Sequence, residues 1–363
     1  MAVGAALLAF GAKSRINETE RTEGCADRER IQMSDTIDRR SLLAGATAAA
    51  ALCAAGPAFA QGAAGWPNKG MTLVVPFTPG GSTDILARII GQKFTEAWGQ
   101  AVTVENRPGA GGSVGSVQVA RAPADGYTIG MGHIGTLSVN PSLYPSLQYD
   151  PIKSFEHLGM LAKVHNILAV HPSIPVKNVL ELIDYAKKNP GKLNYATGGN
   201  GSAAHIATAA FMVATGTDMV HVPYRGTAPA VNDLLSGQVQ VIMTGAPAVL
   251  PHVRAGTLRA LGTASLTRLP SAPEIPTIAE AGVPGFEASQ WYGLVAPAGV
   301  APEIVAKLNE QIAKAMSDKA MIEAPDRDGA EPWIMKPAEF RAHIEKETLR
   351  WADIVKKAKI AIQ

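Results

Sequence analysis

Two short stretches of this chain place paired glycines and small hydroxyls where a strand hands over to a helix. In "LVVPFTPGGSTDILARII" (residues 73–90) a β-branched run stops at Pro76. The chain then passes Thr78, Pro79, Gly80 and Gly81, and Ser82, Thr83 and Asp84 open an apolar pattern of helical period. "YATGGNGSAAH" (residues 195–205) repeats the design: Thr197, glycines at 198, 199 and 201, the hydroxyl of Ser202, then a helix carrying His205. Glycine lets a backbone approach a ligand with no Cβ in the way. The unpaired N–H groups of a first helical turn, with the helix dipole, favour an anion. Ser82 or Thr83 is expected to cap the first helix. The dipole contributes only about 0.3–1 kcal/mol, and each hydrogen bond to a charged group about 1.5–3 kcal/mol. Micromolar binding needs about 8 kcal/mol, so several donors must converge. Either loop alone would serve as a tight turn; two equivalent loops facing each other could hold a carboxylate from both sides.

Other chemistries fit less well. Gly199-x-Gly201-x-x-Ala204 matches a dinucleotide fingerprint, but the next strand, "MVHVPY", ends without an acidic residue for a ribose. Ser202 and His205, with Asp84 or Asp233, suggest a hydrolytic triad. Ser202 does not sit in a G-x-S-x-G elbow, however, and the pair lies one turn apart on one helix. His205 reads better as a polar residue beside the loop or a satisfied helix histidine. The eight histidines form no H-E-x-x-H or similar cluster, so no metal and no cofactor are expected.

In 363 residues the net charge is +2 and no basic run stands out, which speaks against nucleic acid. "MSDTIDRRSLLAGATAAAALCAAGPAFAQ" (residues 33–61) has an Arg pair, an Ala-rich apolar run and Ala58-Phe59-Ala60 before Gln61. This is an export signal with cleavage expected after Ala60. Arg39-Arg40 before Ser41-Leu42-Leu43 resembles a twin-arginine signal. Residues 1–32 read as an extension upstream of a start at Met33. Cys25 and Cys53 both precede the cleavage site, and Leu52 argues against lipidation of Cys53. The chain from Gln61 onward therefore has no cysteine for a disulfide or a thiolate ligand. A periplasmic protein, monomeric, is expected.

The remaining length suits two α/β domains. Strand, helix, strand, helix, strand over residues 71–132 is a parallel-sheet pattern. Leu86, Ile90, Phe94 and Trp98 mark the apolar face of the first helix. The theme restarts near Leu161 and runs through "ILAVHP", "KLNYAT", "MVHVPY", "QVQVIM" and "LRALGTA". Two further amphipathic helices, 302–317 and 337–359, are too small for a core of their own and must pack on the first domain. The expected division is therefore 1–60 as leader, 66–164 with 288–363 as domain 1, and 165–287 as domain 2. Two crossings would make a hinge, with a cleft between Rossmann-like domains.

Eight motifs in order, from "VPFTPGGSTDILAR" and "VENRPGAGG" through "VPYRGTAPAVNDLLSGQVQV" to "PTIAEAGVPGFEASQWYGLVAPAG", resemble the substrate-binding proteins of tripartite tricarboxylate transporters, the Bug family. The resemblance covers about Trp66 to Trp351. It implies a Venus-flytrap binding protein that grips a small organic carboxylate mainly through backbone N–H groups and bound waters. It also implies delivery to the permease subunits of a membrane transporter, or presentation to a signalling receptor. Carried onto matching positions it implies Gly80, Gly81, Ser82, Thr83 and Asp84 in the first loop, and Thr197, Gly201, Ser202 and His205 in the second. The loop from His133 to Thr136 would line the same cleft. One departure stands out: Thr244-Gly245-Ala246 replaces a more polar stretch of the family, which allows a bulkier or partly apolar acid. Arg225 in "PYRG" is the tempting cation, equally able to support its own loop through a salt bridge. Trp291 is expected to pack near the hinge.

Overall fold

The first sheet begins where the apolar runs begin. In the computed structural model, which describes residues 65–318, 330–358 and 360, β1 (Met71–Val75) is buried along nearly its whole length because helices cover both faces of its sheet. The expected extension, export signal and both cysteines lie outside the described residues. Helix α1 (Ser82–Trp98) buries Leu86, Ile90 and Phe94 at four-residue steps. It ends at Gly99, whose φ of 65° gives the left-handed turn a helix stop requires. The chain continues through β2 (Val102–Asn106), α2 (Ser113–Ala120) and β3 (Thr128–His133). A π-helical turn at Gly135–Val139 leads into the short α3 (Asn140–Leu143) and then β4 (Phe155–Val164).

His165 alone separates β4 from β5 (Asn166–Val170), the first strand of the second sheet. There follow α4 (Val179–Lys188), β6 (Asn194–Thr197), α5 (Ala203–Thr215), β7 (Val220–Pro223), α6 (Thr227–Leu235), β8 (Val241–Gly245), α7 (Ala246–Arg254) and β9 (Arg259–Thr263). The chain then returns to the first sheet as β10 (Gln290–Pro297), followed by α8 (Pro302–Met316), β11 (Ala330–Met335) and α9 (Pro337–Lys357). Strand order is β11-β4-β10-β3-β1-β2 in the first sheet and β7-β6-β8-β5-β9 in the second.

The strands of residues 71–133 pair parallel, as the sequence pattern predicts, but each sheet also contains antiparallel pairs. β10 runs antiparallel to both β3 and β4, and β5 runs antiparallel to β8 and β9. The strands that carry the chain between sheets impose this. Gln290 pairs with Val164, so the two crossings lie side by side and must run in opposite directions.

Helix α9 straps the second crossing. Its Phe340, Ile344, Trp351 and Val355 are buried at helical spacing. Trp291, 2% exposed, meets the edge of Phe340 with ring centroids 5.8 Å apart. Arg350 reaches the Glu287 carboxylate at 2.8 Å.

Candidate functional site

Three helix N-termini converge on one small cavity, of about 30 Å³, between the two sheets. Gly81, Ser82 and Thr83 bring the start of α1; Ser202, Ala203 and Ala204 bring the start of α5; Thr227 opens α6. Phe77, Thr78, His133, Gly198, Thr244, Gln290 and Tyr292 complete the wall.

The loops fold so that the amides stay free. The N-cap of α1 is Gly81, in extended conformation with no side-chain cap, so neither Ser82 nor Thr83 caps that helix as the sequence suggested. Those side chains point inward instead, where a Cβ on Gly245 would overlap Ser82 Oγ. Gly80 turns the chain at φ 85°. Its N–H donates to Asp84 Oδ2 at 3.0 Å. Asp84 also accepts from Arg88 and Asn106, at 2.9–3.0 Å. Burial alone would raise the Asp84 carboxyl, but these hydrogen bonds outweigh it and hold it below its ordinary value. Asp84 therefore braces the loop and does not line the cavity. In the second loop Ser202 Oγ accepts the His205 N–H at 3.3 Å, capping α5. The amides of residues 81–83, Ala203, Ala204 and Thr227 donate to no other described residue.

The histidines are built to stay neutral. His133 Nδ1 accepts the Gly135 N–H at 2.9 Å, and burial lowers its pKa to about 3, against a smaller raising effect of a side-chain hydrogen bond with Gln290. His205 Nδ1 accepts the Gly201 N–H at 3.1 Å, and its ring stacks on His221 with centroids 4.1 Å apart. Burial, and then the neighbouring His221, lower His205 to about 3, while burial lowers His221 to about 4. No charged side chain lines the cavity, so its positive potential comes from amides and helix dipoles alone.

The other expected residues stand behind this lining. Thr197 Oγ1 is 2.6 Å from His221 Nε2 and accepts the Gly199 N–H at 3.2 Å. Thr136 Oγ1 is tied to the His133 backbone. Gly201 (φ 77°) faces the first sheet's side, where a Cβ would lie 2.8 Å from Asn140 Oδ1. Gly245 packs on Ser82 and Gln290, while its neighbour Thr244 reaches the cavity. Arg225 is exposed and makes no ion pair among the described residues, so it does not brace its loop in that way.

Sequence reasoning missed Phe77, Thr227, Gln290 and Tyr292. A signal existed for Thr227, since strand, Gly226, Thr227, helix follows the same grammar as the two loops that were found. Gln290 and Tyr292 share a hydrogen-bonded chain with the crossing: Tyr292 donates to Gln290 Oε1, and Gln290 donates to Asn166 Oδ1. Burial raises the Tyr292 hydroxyl far above its ordinary value, against weaker lowering by Thr83 and Ser82, so it is a neutral donor.

The lobes are drawn together around this cavity. Tyr144, after α3, donates its hydroxyl to the Asn200 carbonyl at 3.2 Å. A Cβ on Gly111 would sit 2.5 Å from that same oxygen. Among the described residues no helix is long and apolar enough to cross a membrane, and no group of His, Cys, Asp or Glu could hold a metal ion.

The chain is 39% identical over 293 residues to protein BugT of Bordetella pertussis, which covers 80% of this chain and 90% of BugT. The solved structure of R. palustris Rpa4515 with adipate superposes with a TM-score of 0.80 at 40% identity, covering 82% of this chain and 99% of that one. The periplasmic binding protein BugD gives a TM-score of 0.78 at 36% identity, with 82% and 100% covered. Residues 86–360 match the TctC family model. The chain therefore belongs to the TctC family, the tripartite tricarboxylate transporter family receptors.

Proposed function

We propose that this protein captures a small organic carboxylate between its two lobes in the periplasm and delivers it to the permease of a tripartite tricarboxylate-type transporter. One observation carries the reading: free amides from three helix starts meet in a cavity with no charged side chain. Such a site favours an anion with several acceptor lone pairs and offers nothing to a cation. A carboxylate is such an anion, and the R. palustris relative was solved with one, adipate. The proposed contacts are the amides of residues 81–83 and of Ala203, Ala204 and Thr227, with Ser202 and the neutral His133 beside them. The Arg39-Arg40 pair supports export by the twin-arginine route.

A thermal-shift screen against organic acids and their uncharged amides tests binding. An acid present at about 100 times its dissociation constant stabilises the native state by about 2.7 kcal/mol, and the matched amide should give no shift. Equal shifts from acid and amide would remove the anion reading. Loss of uptake of that acid in cells without the protein tests delivery.

Affinity for the acid should also be flat between about pH 6 and 8. Carboxylates with an ordinary pKa near 4 stay ionised there. His133 and His205, at about 3, stay neutral. Calorimetric titration across that range checks it. A tenfold fall per unit would mean that an imidazolium holds the ligand.

A further inference from the structure

Beside the cavity lies a larger open groove of about 610 Å³, and Phe77 and Gly198 line both spaces. The groove runs between the lobes. The loop from Pro108 to Gly112 and Tyr144 form one side, and Asn200 with Pro223 and Tyr224 the other. Its walls are therefore mostly apolar and aromatic. One charged residue lines it, Arg225.

That arginine is uncommitted. It is exposed and makes no hydrogen bond or ion pair with another described residue. Arg107, next in the chain to Pro108, is paired with Glu105. Asp233, on α6, is engaged by the Tyr224 hydroxyl at 2.6 Å. The loop opposite is unusual too. Ala110, at φ 45°, is the one non-glycine residue with positive φ among the described residues, and Gly111 and Gly112 follow at 61° and 88°. A strained backbone of this kind persists where the surroundings hold it, and such sites cluster around ligands. Here the surroundings include the other lobe, since Gly111 lies against the Asn200 carbonyl. The groove is thus complete only when the lobes are closed.

We propose that this groove is a second anion subsite anchored by Arg225. It takes the far end of an extended acid whose first carboxylate sits among the helix N-termini. The proposal rests on the carboxylate reading above and adds a direction and a length to the ligand. From the neutral cavity an apolar spacer passes Phe77 and lies along Tyr144 and Pro223. The second anionic group then meets the Arg225 guanidinium, which can grip a carboxylate through two parallel N–H bonds. The two subsites differ physically. The inner one is lined by buried residues and dipolar, so salt affects it little; the outer one is an exposed ion pair, so salt weakens it.

The test titrates a homologous series of linear α,ω-dicarboxylates, and the monocarboxylates of matched chain length, into the wild-type protein and Arg225→Gln by calorimetry at two ionic strengths. Wild type should prefer the best diacid over its matched monoacid by roughly two- to fivefold, the scale of one solvent-exposed ion pair. That preference should shrink in high salt. In R225Q it should vanish, while R225K keeps part of it. An undiminished preference in R225Q overturns the proposal. So does a variant that binds every acid as wild type does and loses only cellular uptake, since Arg225 would then face a protein partner. Failure of both series to bind wild-type protein would sink the carboxylate reading itself, which is a different result from a diacid preference that ignores Arg225.

Discussion

Gly226→Ala is expected to lower carboxylate affinity by about a hundredfold or more, with a smaller loss of stability in the ligand-free protein. Gly226 precedes α6 with φ 154° and ψ 176°. A Cβ built there falls inside Thr78 Oγ1 and only 2.7 Å from Thr78 Cβ. Thr78 belongs to the loop after β1 in the first sheet, and Gly226 to the loop after β7 in the second. The overlap therefore exists only when the lobes are closed. An alanine holds them apart, and the ligand keeps the amides of one lobe while losing those of the other. Two or more hydrogen bonds to a charged group, at about 1.5–3 kcal/mol each, are then lost; a hundredfold corresponds to about 2.7 kcal/mol. Gly81→Ala is the graded control. Its φ is −90°, and its Cβ would stand 3.4 Å from Thr227 Oγ1, close to ordinary contact, so the effect should be mild. Thr78→Gly removes the colliding atoms, and in the double variant it should restore much of the affinity, leaving only the backbone strain of an alanine at a positive φ. Such recovery is the coupling that a double-mutant cycle measures. Calorimetry on the four proteins decides the matter; wild-type affinity in G226A would mean that the closed arrangement is not the one that binds.

That prediction depends on a residue the sequence reading passed over, and the reason is instructive. The first two loops announce themselves through paired glycines and hydroxyls between a strand and an amphipathic helix, a purely local grammar. "PYRGTAP" follows the same grammar with a single glycine, a weaker signal beside the charge of its arginine, and Thr227 was overlooked. Gln290 and Tyr292 carry no local signal at all. They reach the cavity because β10 pairs with β3 and β4 across more than a hundred residues of chain, in a register that only tertiary packing sets. Two strands lack a readable sequence signal, each for its own reason. β4 is buried on both faces, so it shows no alternation, and Gly159 at φ 145° interrupts it. β11 contains Pro332, which is tolerated because β11 is an edge strand paired only with β4. The capping error at α1 has a different origin. Ser82 has the chemistry of a cap, but Gly81 takes the extended N-cap position and sends the hydroxyl into the cavity. A helix start that forgoes its cap leaves donors for a ligand, so the departure from local expectation marks the site.

Acid should destabilise this protein well before its carboxylates titrate. Burial lowers His133 and His205 to about 3 and His221 to about 4. Burial also lowers His157 and His343. An imidazole in the unfolded chain takes up its proton near pH 6.5. Below that pH the unfolded state binds more protons than the native one, so stability rises with pH across the window. The stabilisation is therefore complete above about pH 6.5 and is lost as pH falls towards the folded values of 3 to 4. Each group contributes at most about 1.4 kcal/mol per pH unit. At pH 5 the three most depressed histidines together remove several kcal/mol as an upper limit, a sizeable part of a typical stability of about 5–15 kcal/mol. Asp84 acts in the opposite range: its lowered carboxyl stabilises the fold above its unfolded value and is lost only at more acid pH. The effect also has a structural location. Protonating His205 at Nδ1 removes the acceptor for the Gly201 N–H and places charge against His221, 4.1 Å away, so the second glycine loop should loosen first. Urea melts at pH 7, 6, 5 and 4.5 should show falling stability in wild type and a slope shallower by about one proton in His205→Gln, whose amide oxygen can still accept from Gly201. A melting profile level from pH 7 to 5 would show that these imidazoles take up protons inside the fold, and the neutral lining inferred for the cavity would go with it.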